Sequence, residues 1–215
     1  MENIRIPLIG EDAPSFVSNS TMWELKFPQD FEWKWVVLFS HPWDFTPVCT
    51  TEFIWFQDLK QEFDDRNVSL LWYSVDWLHS HIAWIKNIQD KFWIKIEFPI
   101  LADLSIAYKY GMLHPNANSN QTVRAVFIIN PEWKIAALMY YPLSNWRNIK
   151  EILRLIDSLQ MTAKHKKATP ANWPENRLFK DKVIIPPAST LEMANLNSWQ
   201  YENKDWYICT LDMPK

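Results

Sequence analysis

The apolar run Trp35 to Ser40 (WVVLFS) passes through HPWDFTP straight into a helical pattern from Val48 to Phe63. A run this short with no polar face suits a strand covered on both sides. Phe53, Phe56, Leu59 and Phe63 recur at spacings of three and four, so the helix carries an apolar stripe that must lie against the sheet. A covered strand followed by a returning helix restricts the chain to a layered α/β architecture.

The rest of the chain extends that layout. Ser69 to Ser74 is a second strand, and Asp76 is placed to cap a helix over Leu78 to Phe92 with Ile82, Ile85 and Ile88 on one side. Phe98 to Ala102 leads into a short helix ending near Tyr110. Ala125 to Ile129 and Ile135 to Tyr141 are strands joined by the turn NPEWK, and Ile149 to Met161 is a helix with Ile152, Leu155, Ile156 and Leu159 on one face. The order β-α-β-α, hairpin, α predicts a thioredoxin-like α/β fold, with a mixed central sheet flanked by helices. Beyond about Thr162 periodicity stops, and prolines at 170, 174, 186 and 187 break the chain. The expected organisation is a main domain over 1–162 and a small C-terminal extension domain over 163–215.

A net charge of −3 with scattered Lys and Arg gives no nucleic-acid surface, and no apolar run reaches the roughly 18 residues of a membrane span. The opening MENIRIPLIGEDAP lacks the pattern of a secretion signal. Two cysteines, Cys49 and Cys209, with no CxxC pair, fit neither a disulfide scaffold nor a zinc site. His79 and His81 have no cysteine or carboxylate cluster nearby in sequence, so no metal is expected. A reducing cytoplasm is the expected setting, where an unpaired cysteine is either inert packing or chemistry.

Context separates those two readings for Cys49. Thr46 suits a helix N-cap and Pro47 the first helical position, which makes Cys49 about the third helical residue. Unpaired backbone N–H groups and the positive end of the helix dipole favour a thiolate there.

The run PWDFTPVC matches the PxxxTxxC signature of peroxiredoxins at Pro42, Thr46 and Cys49, and the longer string LFSHPxDFTPVCTTEF, position 43 apart, resembles their one-cysteine branch. FPILAD at Phe98 to Asp103, TVRAVFIINPE at Thr122 to Glu132 and ATPANWPEN at Ala168 to Asn176 extend the resemblance over nearly the whole chain. It implies a thiol peroxidase in which Cys49 attacks a peroxide and becomes a sulfenic acid. It further implies that Thr46 hydrogen-bonds the peroxide, that Pro42 shields the site from water, and that Arg124 holds the thiolate and polarises the peroxide. From the residues alone, Thr46 is a cap in any case and Arg124 could be a rim ion-pair residue.

His41 either lines the pocket or is structural, while Glu52 and Arg147 could orient Arg124. The substrate implied is hydrogen peroxide or a small organic hydroperoxide, with an external thiol as reductant and no cofactor. Cys209 is the other possible resolving thiol. Some relatives carry a cysteine pair near the DW of the tail, and the first of those positions falls on Asn203. The family forms homodimers and often decamers, so a homo-oligomer is expected. The rival functions are an oligomeric holdase chaperone and a disulfide reductase, the latter disfavoured by the missing CxxC.

One compositional anomaly remains: 2 glycines and 14 tryptophans. A chain this long ordinarily has about 15 glycines. Trp133 lies in the PEWK turn, Trp93 directly follows a helix, and Trp33 precedes the first strand, all places that favour glycine. Relatives tend to carry glycine at positions matching Trp23, Trp33, Trp72, Trp93, Trp133 and Trp146, and alanine or glycine at Trp43. Trp35, Trp84, Trp173 and Trp206 match tryptophans that the family uses. The anomalous set is expected to arise from UGA codons that the source reads as glycine.

Overall fold

The computed structural model describes residues 5–117 and 120–213. Residues 1–4, part of the opening stretch read for a secretion signal, lie outside the described residues. The chain divides into two compact units, Met1–Ile149 and Lys150–Lys215.

The first unit opens with the antiparallel hairpin β1 (Phe16–Asn19) and β2 (Glu24–Phe27). β3 (Trp35–Ser40), α1 (Pro47–Asp58), α2 (Lys60–Asp65), β4 (Val68–Tyr73) and α3 (Leu78–Phe92) follow. β5 (Ile100–Leu101), α4 (Leu104–Lys109), β6 (Arg124–Ile129) and β7 (Ile135–Tyr141) complete it. Five strands form one mixed sheet in the order β5-β4-β3-β6-β7, with β3, β4 and β5 parallel and β6 antiparallel to both its neighbours, β3 and β7. This is the expected layout, with two differences. The helix expected over 48–63 is interrupted at Leu59, which leaves α1 and α2 as separate segments. Asp76 does not cap α3: the N-cap is Trp77 without a side-chain bond, and the Asp76 carboxylate instead accepts the backbone N–H of Asp44 at 2.8 Å.

Strand alternation divides the core into two faces. Leu38, Leu71, Tyr73 and Phe127 pack with Phe16 and Phe27 of the hairpin and Tyr110 beyond α4. Phe39 and Trp72 point the other way, where Phe39 stacks on Phe56 of α1 with ring centroids 4.0 Å apart. Phe53 of α1 stacks on Trp84 of α3 at 4.7 Å. Phe127 belongs to the first face, so Arg124, three residues earlier, belongs to the second, the face that α1 covers. The buried residues of α1 are Cys49, Glu52, Phe53 and Phe56, one helical stripe. Alternation and helical spacing therefore bring Arg124 to Cys49 and Glu52.

The second unit contains α5, whose full extent is Ile149–His165, then β8 (Val183–Ile184), α6 (Leu191–Gln200), β9 (Glu202–Asp205) and β10 (Ile208–Leu211). Its antiparallel sheet runs β8-β10-β9. Met161, Trp173 and Val183 form its small core, and the Trp173 indole donates to the Asp181 carbonyl at 2.8 Å. The proline-rich stretch that lacked periodicity is thus organised around one tryptophan.

Both glycines sit at positive φ, Gly10 at 89° and Gly111 at 60°. A Cβ on Gly111 would come within 2.9 Å of Ile6 backbone atoms, so that position has no room for a side chain. Trp33 (φ 65°), Trp93 (φ 57°) and Trp133 (φ 61°) share this left-handed conformation, which disfavours bulky residues. Trp93 ends α3 in the way a C′ glycine does.

Candidate active site

β3 ends at Ser40, residues 41–46 form a loop, and Pro47 opens α1, which makes Cys49 its third residue. Cys49 is only 1% exposed. Thr46 occupies the N-cap with extended backbone but makes no capping bond. Its hydroxyl donates instead to the Trp43 carbonyl at 3.1 Å, which leaves the oxygen lone pairs available to a further donor. Pro42 is buried in the same loop. Phe45 adopts φ 54°, a costly conformation for an aromatic residue at this point of the chain.

Nη1 of Arg124 donates to the Cys49 sulfur at 3.4 Å and to Glu52 Oε2 at 2.8 Å. Its Nε donates to the Leu143 carbonyl at 3.1 Å, which fixes the plane of the guanidinium. Arg147 grips Glu52 from the other side, through Nε to Oε1 at 3.0 Å and Nη2 to Oε2 at 2.7 Å. The backbone N–H of Arg147 adds a bond to Oε1 at 2.7 Å. Burial alone would raise the Glu52 carboxyl, but Arg147, and then Arg124, outweigh it and hold the group below its ordinary value. Arg147 also donates to the carbonyls of Ser40 and Ala125, at 2.9 and 3.2 Å, and so ties β3 to β6. Its guanidinium lies 5.5 Å from the Phe39 ring centroid and 5.8 Å from that of Phe56. Two cations and one carboxylate leave an excess positive charge beside the sulfur. This setting suits a nucleophilic sulfur and a reaction that builds negative charge.

His41 is fully buried, with Nε2 2.8 Å from Asp44 Oδ1. His81 of α3 places Nδ1 2.8 Å from the other oxygen, Asp44 Oδ2. Burial would raise the Asp44 carboxyl, yet the hydrogen bonds from His41 and His81 pull it well below the ordinary carboxylate range. Burial pushes His41 down, against a smaller opposing pull from Asp44, so its ring is neutral at pH 7. The indole N–H of Trp72 donates to His41 Nδ1. His41, Asp44 and Asp76 bring ligand atoms within 4.8 Å of one another. Protein donors already engage that cluster: Asp44 takes both imidazoles, and Asp76 takes the Asp44 N–H and the Ser74 hydroxyl. Neither Asp44 nor His81 stood out in the sequence as part of the site.

The buried face of α3 also differs from the expected one. It is His81, Trp84 and Ile88, whereas Ile82 is 38% exposed. Cys209 lies in β10 of the second unit, buried, with its thiol near the Asp205 and Trp206 carbonyls. Asn203 is its register partner across the sheet, and both cysteines are free. His79 is exposed and takes no part in the His81 cluster.

Residues 9–138 match the AhpC/TSA family, and residues 158–204 match the C-terminal domain of 1-Cys peroxiredoxin. A peroxiredoxin of Aquifex aeolicus is 49% identical over 97% of this chain and 98% of its own length. One from Ignicoccus hospitalis is 51% identical over 95% of this chain and 88% of its own length. Among solved structures, a cysteine-to-serine mutant of the peroxiredoxin 6 of Arenicola marina superposes with a TM-score of 0.84 at 36% identity, covering 97% of this chain and 99% of that one. The yeast mitochondrial 1-Cys peroxiredoxin superposes at 0.83 with 39% identity, covering 95% of this chain and 99% of that one. With Cys49, Arg124 and Glu52 gathered at the start of α1 and these matches running through both units, the chain belongs to the peroxiredoxin family.

Proposed function

We propose that this chain reduces hydrogen peroxide and small organic hydroperoxides, with Cys49 as the attacking sulfur. The observation that carries the proposal is the single Arg124 nitrogen shared between the Cys49 sulfur and Glu52. The Cys49 thiolate attacks one peroxide oxygen, the S–O bond forms and the O–O bond breaks. The leaving oxygen takes a proton and departs as water or an alcohol, and Cys49 is left as a sulfenic acid. Negative charge moves from sulfur to the departing oxygen, and Arg124, fixed by Glu52 and Leu143, supplies donors along that path. Thr46, with its proton committed to the Trp43 carbonyl, accepts the O–H of the peroxide and orients it. Pro42 keeps bulk water off the sulfur.

An external thiol then attacks the sulfenic sulfur, water leaves, and a second thiol releases Cys49 with formation of a disulfide. The yeast relative's structure concerns thiol resolution through glutathione and thioredoxin systems, and reductants of that chemical class suit this chain. Cys209 is the less favoured resolving thiol, because it is buried among carbonyls of its own unit. Two free cysteines suit a reducing cytoplasm. β7 forms one edge of the sheet, which supports pairing between copies in a homo-oligomer. The domain limits of 1–162 and 163–215 belong to the same reading, which puts the boundary within the last turn of α5. Among the described residues no helix is long and apolar enough to cross a membrane.

Peroxide consumption with a panel of thiol reductants tests the proposal. Turnover that needs both a reductant and Cys49 supports it, while turnover that survives Cys49→Ser overturns it. Suppression of aggregation that is independent of Cys49, without turnover, would point to a holdase.

A further inference from the structure

The loop that carries Pro42 and Thr46 is held sideways by α3. His81 reaches Asp44 Oδ2 and His41 reaches Asp44 Oδ1, each at 2.8 Å, so one carboxylate takes an N–H from each ring. The Asp44 backbone N–H is bound in turn by Asp76 at 2.8 Å. One helical turn beyond His81, the Trp84 indole donates to Thr50 Oγ1 at 3.3 Å, and that hydroxyl donates to the Thr46 carbonyl at 2.8 Å. The middle and the end of the loop therefore both hang on α3.

The His81 ring is fully buried, and its Nδ1 carries the proton that Asp44 accepts. The other ring nitrogen, Nε2, has no hydrogen-bond partner. A buried polar atom without a partner is unfavourable, and an aliphatic side chain of similar size would avoid that cost. What the imidazole supplies here that leucine cannot is the Nδ1–H to Asp44.

We infer that His81 is a positioning residue for peroxide reduction, acting through Asp44 to hold the 41–46 loop over Cys49. The inference rests on the peroxidase reading above. His81 exchanges no proton with the substrate. Its effect is to keep Thr46 and Pro42 in register with the sulfur, and displacements of about 1 Å in such groups cost up to about 100-fold in rate.

The test is the second-order rate constant for loss of the Cys49 thiol to hydrogen peroxide, measured beside the melting temperature of each variant. His81→Leu should slow oxidation by about 10- to 100-fold, whereas His81→Asn, whose amide N–H falls near the Nδ1 position, should stay within about threefold of native. The double variant Asp44→Asn with His81→Leu should be no slower than Asp44→Asn alone, because the two act on one link. Equal rates for native and His81→Leu, or additive losses in the double variant, overturn the inference. If His81→Leu does not fold, His81→Gln takes its place, since its N–H falls near Nε2. A slow Gln variant beside a near-native Asn variant supports the inference, and equal rates overturn it. A native protein whose Cys49 ignores peroxide defeats the peroxidase reading itself, an outcome separate from any of these.

Discussion

Arg124 Nη1 stands 3.4 Å from the Cys49 sulfur, although the two residues are 75 positions apart in the chain. The contact follows from two periodicities. Arg124 lies on the face of β6 opposite Phe127, and Cys49 heads the buried stripe of α1 that covers this face. The arginine is fixed before any substrate arrives, since Glu52 and the Leu143 carbonyl hold two further N–H groups of its guanidinium.

Removing that donor should act on the chemical step. Arg124→Leu is expected to slow Cys49 oxidation by about 10²- to 10³-fold, the loss typical of a fixed donor at a developing charge. Arg124→Lys should recover only part of this, because one ammonium cannot reach the sulfur, Glu52 and the Leu143 carbonyl together. Stopped-flow oxidation of the reduced protein reads both.

Glu52 neutralises two buried guanidinium groups, so its loss is a stability defect as well. Glu52→Gln should destabilise the protein by about 3–5 kcal/mol, because Arg147 and Arg124 are left without their carboxylate. Urea unfolding measures this. A change below 1 kcal/mol would show that the two arginines find other partners.

Stability should fall on acidification in two stages. Burial lowers His41 from its ordinary 6.5, so the unfolded chain binds the proton more readily and stability declines as pH drops below that value. Asp44 and Glu52 are both held below their ordinary values of 3.8 and 4.5, so their contribution is present above that range and is lost progressively as pH falls below it toward their lower folded values. Urea midpoints from pH 8 to 3 should show a shallow decline followed by a steeper one. A midpoint constant from pH 7 down to 4 contradicts this assignment.

Much of the site was legible in sequence, for physical reasons that can be named. Cys49 and Glu52 are three apart on a helix whose apolar stripe is plain, while Arg124, just before the expected strand Ala125 to Ile129, was marked by the family resemblance rather than by its spacing. What escaped was α3. A hydrophobicity pattern selects Ile82 and Ile85, but the buried face is carried by His81 and Trp84, whose Nδ1 and indole N–H are held by Asp44 and Thr50. Thr46 had the right residue type for a cap, yet its hydroxyl turns to Trp43. Such choices depend on contacts between a loop and a distant helix, and local spacing does not encode them.

The tryptophans at positive φ provide a separate test. Trp33 and Trp93 are 82% and 87% exposed, so replacing them removes little packing. Trp93→Gly should relieve backbone strain of about 1–3 kcal/mol, offset by about 0.4–1 kcal/mol of added freedom in the unfolded chain. The net gain should raise the melting temperature by roughly 2–4 °C. Trp133→Gly should gain less, because its ring packs edge-on against Phe27 at 6.2 Å. Peptide masses of the native protein should show glycine at all three positions, and UGG codons there would contradict the recoding account.

The central claim is that peroxide reacts at Cys49 and at no other thiol. Mass spectrometry of the reduced protein after one equivalent of hydrogen peroxide, with a sulfenic-acid trap present, tests it directly. The expected result is a single trapped adduct on the peptide containing Cys49, lost in Cys49→Ser and strongly slowed in Arg124→Leu. An adduct on Cys209 with Cys49 unmodified would contradict the claim.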